Sequence, residues 1–219
     1  MKLVMISDTH GRHDKLIMPA GDILIHAGDF TPRGELKDVA RFADFMAKQN
    51  YQYKIVIAGN HDFSFEDHRS AAAQKLLQDA GIIYLNDSGL EIAGIKIWGS
   101  PITPWFNDWA FNRQRGSDIK KHWDLIPKDI DVLMTHGPPY KILDKVFNGQ
   151  LVGCEDLLRV VEELKPALHV FGHIHEGRGV VKVHQTTFIN ASSIDVAYKK
   201  DFAPIVFDYQ SKSALNFSH

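Results

Sequence analysis

The sequence predicts an α/β domain with mixed β-sheets, and three features predict it. Short apolar runs ending in polar clusters recur at residues 3–6, 23–25, 55–58, 132–134 and 168–171, the pattern of central strands buried on both faces. One-faced helical stripes lie between several of these runs. Late in the chain, paired apolar stretches flank turn residues, as antiparallel hairpins do. Strand and helix alternating early, with hairpins added late, give a mixed-sheet α/β layout of α+β character.

The elements follow in order. Leu36, Val39, Ala40, Ala43 and Met46 repeat at i, i+3, i+4, i+7 and i+10 and predict the first helix. Ser64-x-x-Asp67 resembles a capping box ahead of a second helix running through Leu76 and Leu77 to Ala80, with Gly81 as its stop. Leu157, Leu158, Val161 and Leu164 form a third stripe, ended by Lys165-Pro166 because a residue before proline disfavours the helical region. Residues 90–93 and 95–98 pair about Gly94, residues 180–183 and 187–190 pair about 184–186, and 205–209 make a closing strand. No Ser/Gly-rich linker, charge block or repeat divides the chain, so residues 1–219 are expected to form one domain.

Composition narrows the function. With 44% apolar and 24% charged residues the chain is neither disordered, collagen-like nor coiled coil. Its 25 Lys/Arg against 27 Asp/Glu leave a net charge of -2, so no electrostatic capture of extended nucleic acid or an anionic membrane is expected. The opening apolar run, Leu3-Val4-Met5-Ile6, is too short for a signal-peptide core, and no segment reaches the ~18 apolar residues of a span. A cytoplasmic location is expected. One Cys excludes an internal disulfide and Cys-rich zinc modules, whereas the 12 His call for a location.

That location is the end of the apolar runs. The five runs are followed by Ser7-Asp8-Thr9-His10-Gly11, His26-Ala27-Gly28-Asp29, Gly59-Asn60-His61-Asp62, Thr135-His136-Gly137 and Gly172-His173-Ile174-His175. Ligands of open α/β sheets bind beyond the carboxyl ends of the strands, so these residues should share one rim. Mixed carboxylate, imidazole and amide donors suit Mn, Fe, Zn, Co or Ni rather than calcium or a thiolate-bound metal. The donors outnumber what one ion with open positions needs. Two ions sharing a carboxylate fit better.

Together these five blocks resemble the calcineurin-like metallophosphoesterases. Residues 99–112, the run Val170 to Gly177 and Asn190-Ala191-Ser192 look like the branch of metallophosphoesterase domain-containing proteins. The resemblance implies two mixed β-sheets packed as a sandwich flanked by helices. It implies two divalent ions, Mn2+ foremost, with Asp8, His10 and His175 on one, Asn60, His136 and His173 on the other, and Asp29 bridging. His61 would face the leaving group, aimed by Asp62 or Asp29. Protein Ser/Thr phosphatases of this superfamily carry a second Asp where this chain has Pro32, and Glu where it has Asp62. Both departures point to a small-molecule phosphodiesterase acting on a nucleotide or cyclic nucleotide through in-line attack of an activated water. A phosphomonoesterase of the same fold and a low-turnover nucleotide-binding or scaffold protein are the alternatives. A homodimer is left open.

The remaining features have blander readings. His26 and His169, inside apolar runs, are expected as hydrogen-bonded core imidazoles. His13, His68, His122, His184 and His219 are expected at the surface or in turns. The stretch Trp105 to Arg115 is either a cleft wall, with Asn112 and Arg113 meeting phosphate, or an aromatic plug in the core or an interface. Arg33 reads as a turn residue sooner than a phosphate contact. Cys154 reads as a small buried residue at a helix start sooner than a reactive thiol.

Overall fold

Parallel pairing of the apolar runs builds the two large sheets of the computed structural model, which describes residues 1–210. Residues 211–219, with His219 and the end of the expected domain, lie outside the described residues. In chain order the elements are β1 (Lys2–Ile6), β2 (Ile23–Ala27), α1 (Leu36–Ala47), β3 (Tyr53–Ile57), α2 (Ser70–Asp79), β4 (Ile83–Leu85), β5 (Ser88–Ile92), β6 (Ile95–Ser100), β7 (Thr103–Pro104) and β8 (Asn112–Arg113). They continue with α3 (Ser117–Trp123), β9 (Val132–Thr135), α4 (Glu155–Leu164), β10 (Leu168–Phe171), β11 (Gly179–Val183), β12 (Thr186–Asn190) and β13 (Ile205–Asp208).

One sheet has the order β13-β1-β2-β3-β4 and the other β11-β12-β10-β9-β6-β5. Within them β1 to β4, and β12-β10-β9-β6, run parallel, while β13, β11 and β5 pair antiparallel at the edges. Side chains alternate across each strand. Leu3, Met5, Ile23, Ile25, Ile55 and Ile57 therefore meet Ile95, Ile97, Val132, Met134, Leu168 and Val170 in the layer between the sheets. The opposite faces carry Val4, Ile6, Leu24 and Val56, covered by Val39, Phe42, Met46 and Leu77 of α1 and α2. Burial on both faces explains why these strands read as unbroken apolar runs. Each fully buried large side chain contributes about 1.5–3 kcal/mol, so this double burial fixes the rim that the strand ends form.

Several local expectations change. The second helix begins at Ser70, not after a Ser64 cap: residues 63–65 form one tight 3-10 turn instead. Phe65 of that turn packs on Phe30 and Tyr84, and Asp67 accepts from the Arg69 backbone N–H rather than closing a box. β4 and α3 have no counterpart in the sequence reading, because a three-residue strand and a seven-residue helix burying Ile119 and Trp123 leave too little periodicity. α4 starts where Cys154 Sγ accepts from Leu157 N at 3.4 Å, and ends on Lys165 at φ +51° before Pro166.

The histidines outside the rim also divide. His26 and His169 are buried and bonded to the Thr9 and Thr135 hydroxyls at 3.0 and 2.8 Å. His13, expected at the surface or in a turn, lies in the tight turn His13–Lys15 but is fully buried against Phe42 and Phe45 with neither ring nitrogen hydrogen-bonded. His122 is half-buried on Asp87, at 2.6 Å, while His68 and His184 are exposed. Among the described residues no helix is long and apolar enough to cross a membrane.

Candidate metal centre

The ends of β1, β2, β3, β9 and β10 bring all seven predicted ligands to one place. Three groups put one donor atom of each member within 4.8 Å of the others: Asp8, His10 and His175; His10, Asp29 and His61; and Asp29, His136 and His173. Asn60 joins the last, its Oδ1 lying 2.9 Å from His136 Nε2. Asp29 is the hub. Its Oδ2 lies 3.3 Å from His136 Nε2, 3.8 Å from His10 Nε2 and 4.0 Å from His61 Nε2.

The backbone around these donors is unusual. Asp8, His10, Asp29 and His173 all take positive φ, at 52°, 42°, 57° and 66°. Non-glycine residues seldom occupy that region, and such strain persists where the surroundings hold it. Here they do. Asp8 accepts from the His173 backbone N–H and the Ser192 hydroxyl, each at 3.0 Å, so a strand end of one sheet grips a loop of the other. Asn190 extends the grip by accepting from the Ser192 backbone N–H at 3.1 Å and donating to the Ile174 carbonyl at 2.7 Å. Gly172 faces the Asp8 carboxylate so closely that a Cβ there would overlap Asp8 Oδ2 and Ser7 Oγ.

Electrostatics puts His10, His173 and Asp29 in binding form, whereas His136 must give up a proton to hold an ion. Burial holds His10 down to about 4 and His173 down to about 3, so both rings are neutral at pH 7. Burial would raise Asp29, but His136, His10 and His61 outweigh it and hold the carboxyl well below its usual range. Burial likewise opposes charge on His136, and the Asp29 carboxylate outweighs it, taking that ring up to about 9. His136 Nδ1 lies 2.9 Å from the Ala27 carbonyl, which only accepts, so Nδ1 carries a proton and Nε2 faces the donors. Burial, with Asp29 and Asp8 nearby, pushes the Tyr198 phenol up to about 12. Two anionic carboxylates with nitrogen and amide donors fit a pair of divalent ions of the Mn–Zn series. The lone thiol, Cys154, is buried at the α4 cap and takes no part.

His61 stands at the edge of this cluster. Its backbone N–H donates to Asp29 Oδ1 at 2.7 Å, and its Nδ1 lies 2.8 Å from the Pro32 carbonyl. Asp29 thus helps to place it, as expected, but Asp62 does not touch its ring. The Asp62 carboxylate turns inward and accepts from the N–H groups of Gly59, Asp29, Phe30 and Thr31 and from the Thr31 hydroxyl. It ties the Gly28 and Gly59 loops together. Burial, then the Asp29 charge, raises Asp62 to about 7.

The aromatic stretch divides between a cavity wall and the core. Phe106 packs 5.0 Å from His173 and Trp109 4.3 Å from His61, walling a cavity of about 210 Å³ over the cluster. Ala110 and Phe111 are buried in the core. Asn112 and Arg113 are not brought to this cavity. Asn112 accepts from the Thr103 hydroxyl and donates to the Phe106 carbonyl, while Arg113 donates to Glu66. Arg33 lies over the Phe63 and Trp109 rings. A larger cavity of about 730 Å³, lined by Trp105, Tyr140, Phe147 and Arg115, adjoins the first and shares Phe106, His173, Glu176 and Val196 with it. Sequence reasoning passed over the Pro32 carbonyl, Ser192 as a brace and Tyr198. Only Ser192 carried a signal, inside its Asn-Ala-Ser triplet.

Two mixed sheets between helices, with paired Asp/His donor groups at one rim, define a metallophosphoesterase-type hydrolase with a two-metal site. The calcineurin-like phosphoesterase family model matches residues 1–177, and the chain belongs to that family. Within it the chain falls in the metallophosphoesterase domain-containing branch. Human metallophosphoesterase domain-containing protein 1 is 43% identical over 229 residues, covering 94% of this chain and 70% of the relative. A UPF0046 protein of Caenorhabditis elegans is 38% identical, covering 99% of this chain and 77% of its own length. The crystal structure of a Thermus thermophilus protein superposes with TM-score 0.60 at 13% identity, covering 94% of this chain and 98% of that one, and speaks to the fold alone.

Proposed function

We propose that residues 1–219 act as one domain, a phosphodiesterase that hydrolyses a small nucleotide or cyclic nucleotide. The observation that carries this reading is Asp29 Oδ2 set among three imidazole nitrogens from separate segments. Asp8, His10 and His175 would hold one divalent ion and Asn60, His136 and His173 the other, with Asp29 common to both. When bound, the pair, Mn2+ foremost, supplies Lewis acidity to phosphate oxygens and lowers the pKa of a water towards ~7.

The chain's own residues do the rest. With its Nδ1 proton held by the Pro32 carbonyl, His61 keeps Nε2 towards the cavity, and in its imidazolium form it would hand the Nε2 proton to the leaving oxygen and be left as the Nδ1–H tautomer. Such general-acid help is worth about 10²–10⁴-fold. Asp62 serves by position, clamping the loops that carry Asp29 and His61. The aromatic cavity suits a base or other flat ring stacked on Trp105 or Phe147. A diester is favoured over a monoester because Arg115, the cation lining that cavity, is already taken by Glu155 and by the carbonyls of Val152 and Gly153.

The test is turnover of bis-p-nitrophenyl phosphate against p-nitrophenyl phosphate, with Mn2+ added and after chelation. Chelator-sensitive cleavage of the diester in preference to the monoester is expected. Preference for the monoester would make the protein a phosphomonoesterase, and no turnover with two ions bound would make it a binding protein.

A further inference from the structure

Tyr198 stands over the Asp8–His10–His175 group. Its ring centroid is 5.1 Å from that of His10 and 5.8 Å from that of His175, and its Oη lies 3.4 Å from His10 Nε2. With His61 and Trp109 it lines the cavity over the cluster. Its φ is +57°, a region that bulky side chains seldom adopt.

The loop that imposes this conformation is braced throughout. Ser193 N donates to the Ser7 carbonyl at 2.8 Å and Phe202 N to the Ser193 carbonyl at 2.7 Å. Asp195 Oδ1 accepts from the N–H groups of Lys199 and Lys200, and Arg12 grips Asp201 through two hydrogen bonds of 2.8 and 2.9 Å. Strain maintained by so many bonds is the mark of a side chain held for a purpose. An anchoring tyrosine would be buried with a well-bonded hydroxyl. Tyr198 is 42% exposed, and the one hydrogen bond of its hydroxyl among the described residues is long and goes to a nitrogen that ion binding would claim. Once that nitrogen is taken, the hydroxyl proton faces the cavity with no protein acceptor.

We propose that Tyr198 is a further catalytic residue, whose Oη–H donates a hydrogen bond to a non-bridging oxygen of the substrate's phosphoryl group. Its proton stays on the phenol throughout. The role rests on reading the cluster as a phosphoester site, and it adds a neutral donor to the cavity that His61 also lines.

The test compares the wild type with Tyr198→Phe, both loaded with Mn2+, by titration calorimetry with inorganic phosphate and by elemental analysis. A hydrogen bond to a charged group is worth about 1.5–3 kcal/mol. The expected result is two ions retained in Tyr198→Phe, with phosphate bound about 10-fold or more weakly. Equal phosphate affinity in the two proteins would overturn the proposal. So would loss of an ion from Tyr198→Phe, which would make the hydroxyl a brace for His10. Phosphate weakened by the substitution in a protein that turns over no ester would uphold the donor and sink the hydrolase reading.

Discussion

His61 Nδ1 lies 2.8 Å from the carbonyl oxygen of Pro32. A carbonyl only accepts, so Nδ1 keeps its proton, and Nε2, facing Asp29 and the cavity, is the nitrogen left free to gain or give one. The residue that distinguishes this chain from protein phosphatases at its second motif therefore contributes through its backbone.

His61→Gln should lower kcat for the diester by about 10²–10⁴-fold while leaving metal content unchanged. Nε2 is 4.0 Å from Asp29 Oδ2, at the edge of the donor set. Steady-state kinetics paired with elemental analysis checks this. An ion lost together with His61 would make it a ligand instead.

Gly172→Ala should damage the site from below. The added Cβ would overlap the Asp8 carboxylate and the Ser7 hydroxyl, both fully buried. Forcing a methyl group into such packing costs about 1–3 kcal/mol, and Asp8 must move to admit it. A lower Tm and loss of the ion held by Asp8, His10 and His175 are expected. Unchanged Tm and full metal content would show that the contact is slack.

Stability should fall on acidification because buried imidazoles must charge. Burial takes His13 down to about 4 and His169 to about 3, against about 6.5 in an unfolded chain. Between those values the unfolded state binds the extra protons, so stability is full above about pH 6.5 and declines below it. Each ring then costs about 2 kcal/mol between pH 7 and pH 5. Urea midpoints at the two pH values, in the wild type and His13→Leu, isolate one ring. The pH-dependent loss should shrink in the variant whatever its absolute stability, and an equal loss would contradict a buried neutral His13.

The rim was legible because its residues advertise themselves: five apolar runs, each ending in metal-ligand side chains beside glycine. Parallel pairing then forces their convergence. What stayed hidden has physical reasons. The positive φ of Asp8, His10, Asp29 and His173 is imposed by contacts between sheets, to which composition and periodicity are blind. The Pro32 carbonyl carries no side-chain signature. Tyr198 lies 23 positions beyond His175 in an irregular loop. Asn112 and Arg113 looked suited to phosphate by type, but Thr103, Phe106 and Glu66 had already claimed their polar atoms. His13 looked like a turn residue and is one, yet the turn packs its ring beneath α1.

The bridging role of Asp29 is the centre of the account, and metal stoichiometry tests it most directly. Wild type and Asp29→Asn, each equilibrated with Mn2+ and freed of excess, are compared by elemental analysis, with circular dichroism confirming that both are folded. Two ions per chain in the wild type and loss of both in Asp29→Asn is the predicted result. Two ions retained in the folded variant would contradict it.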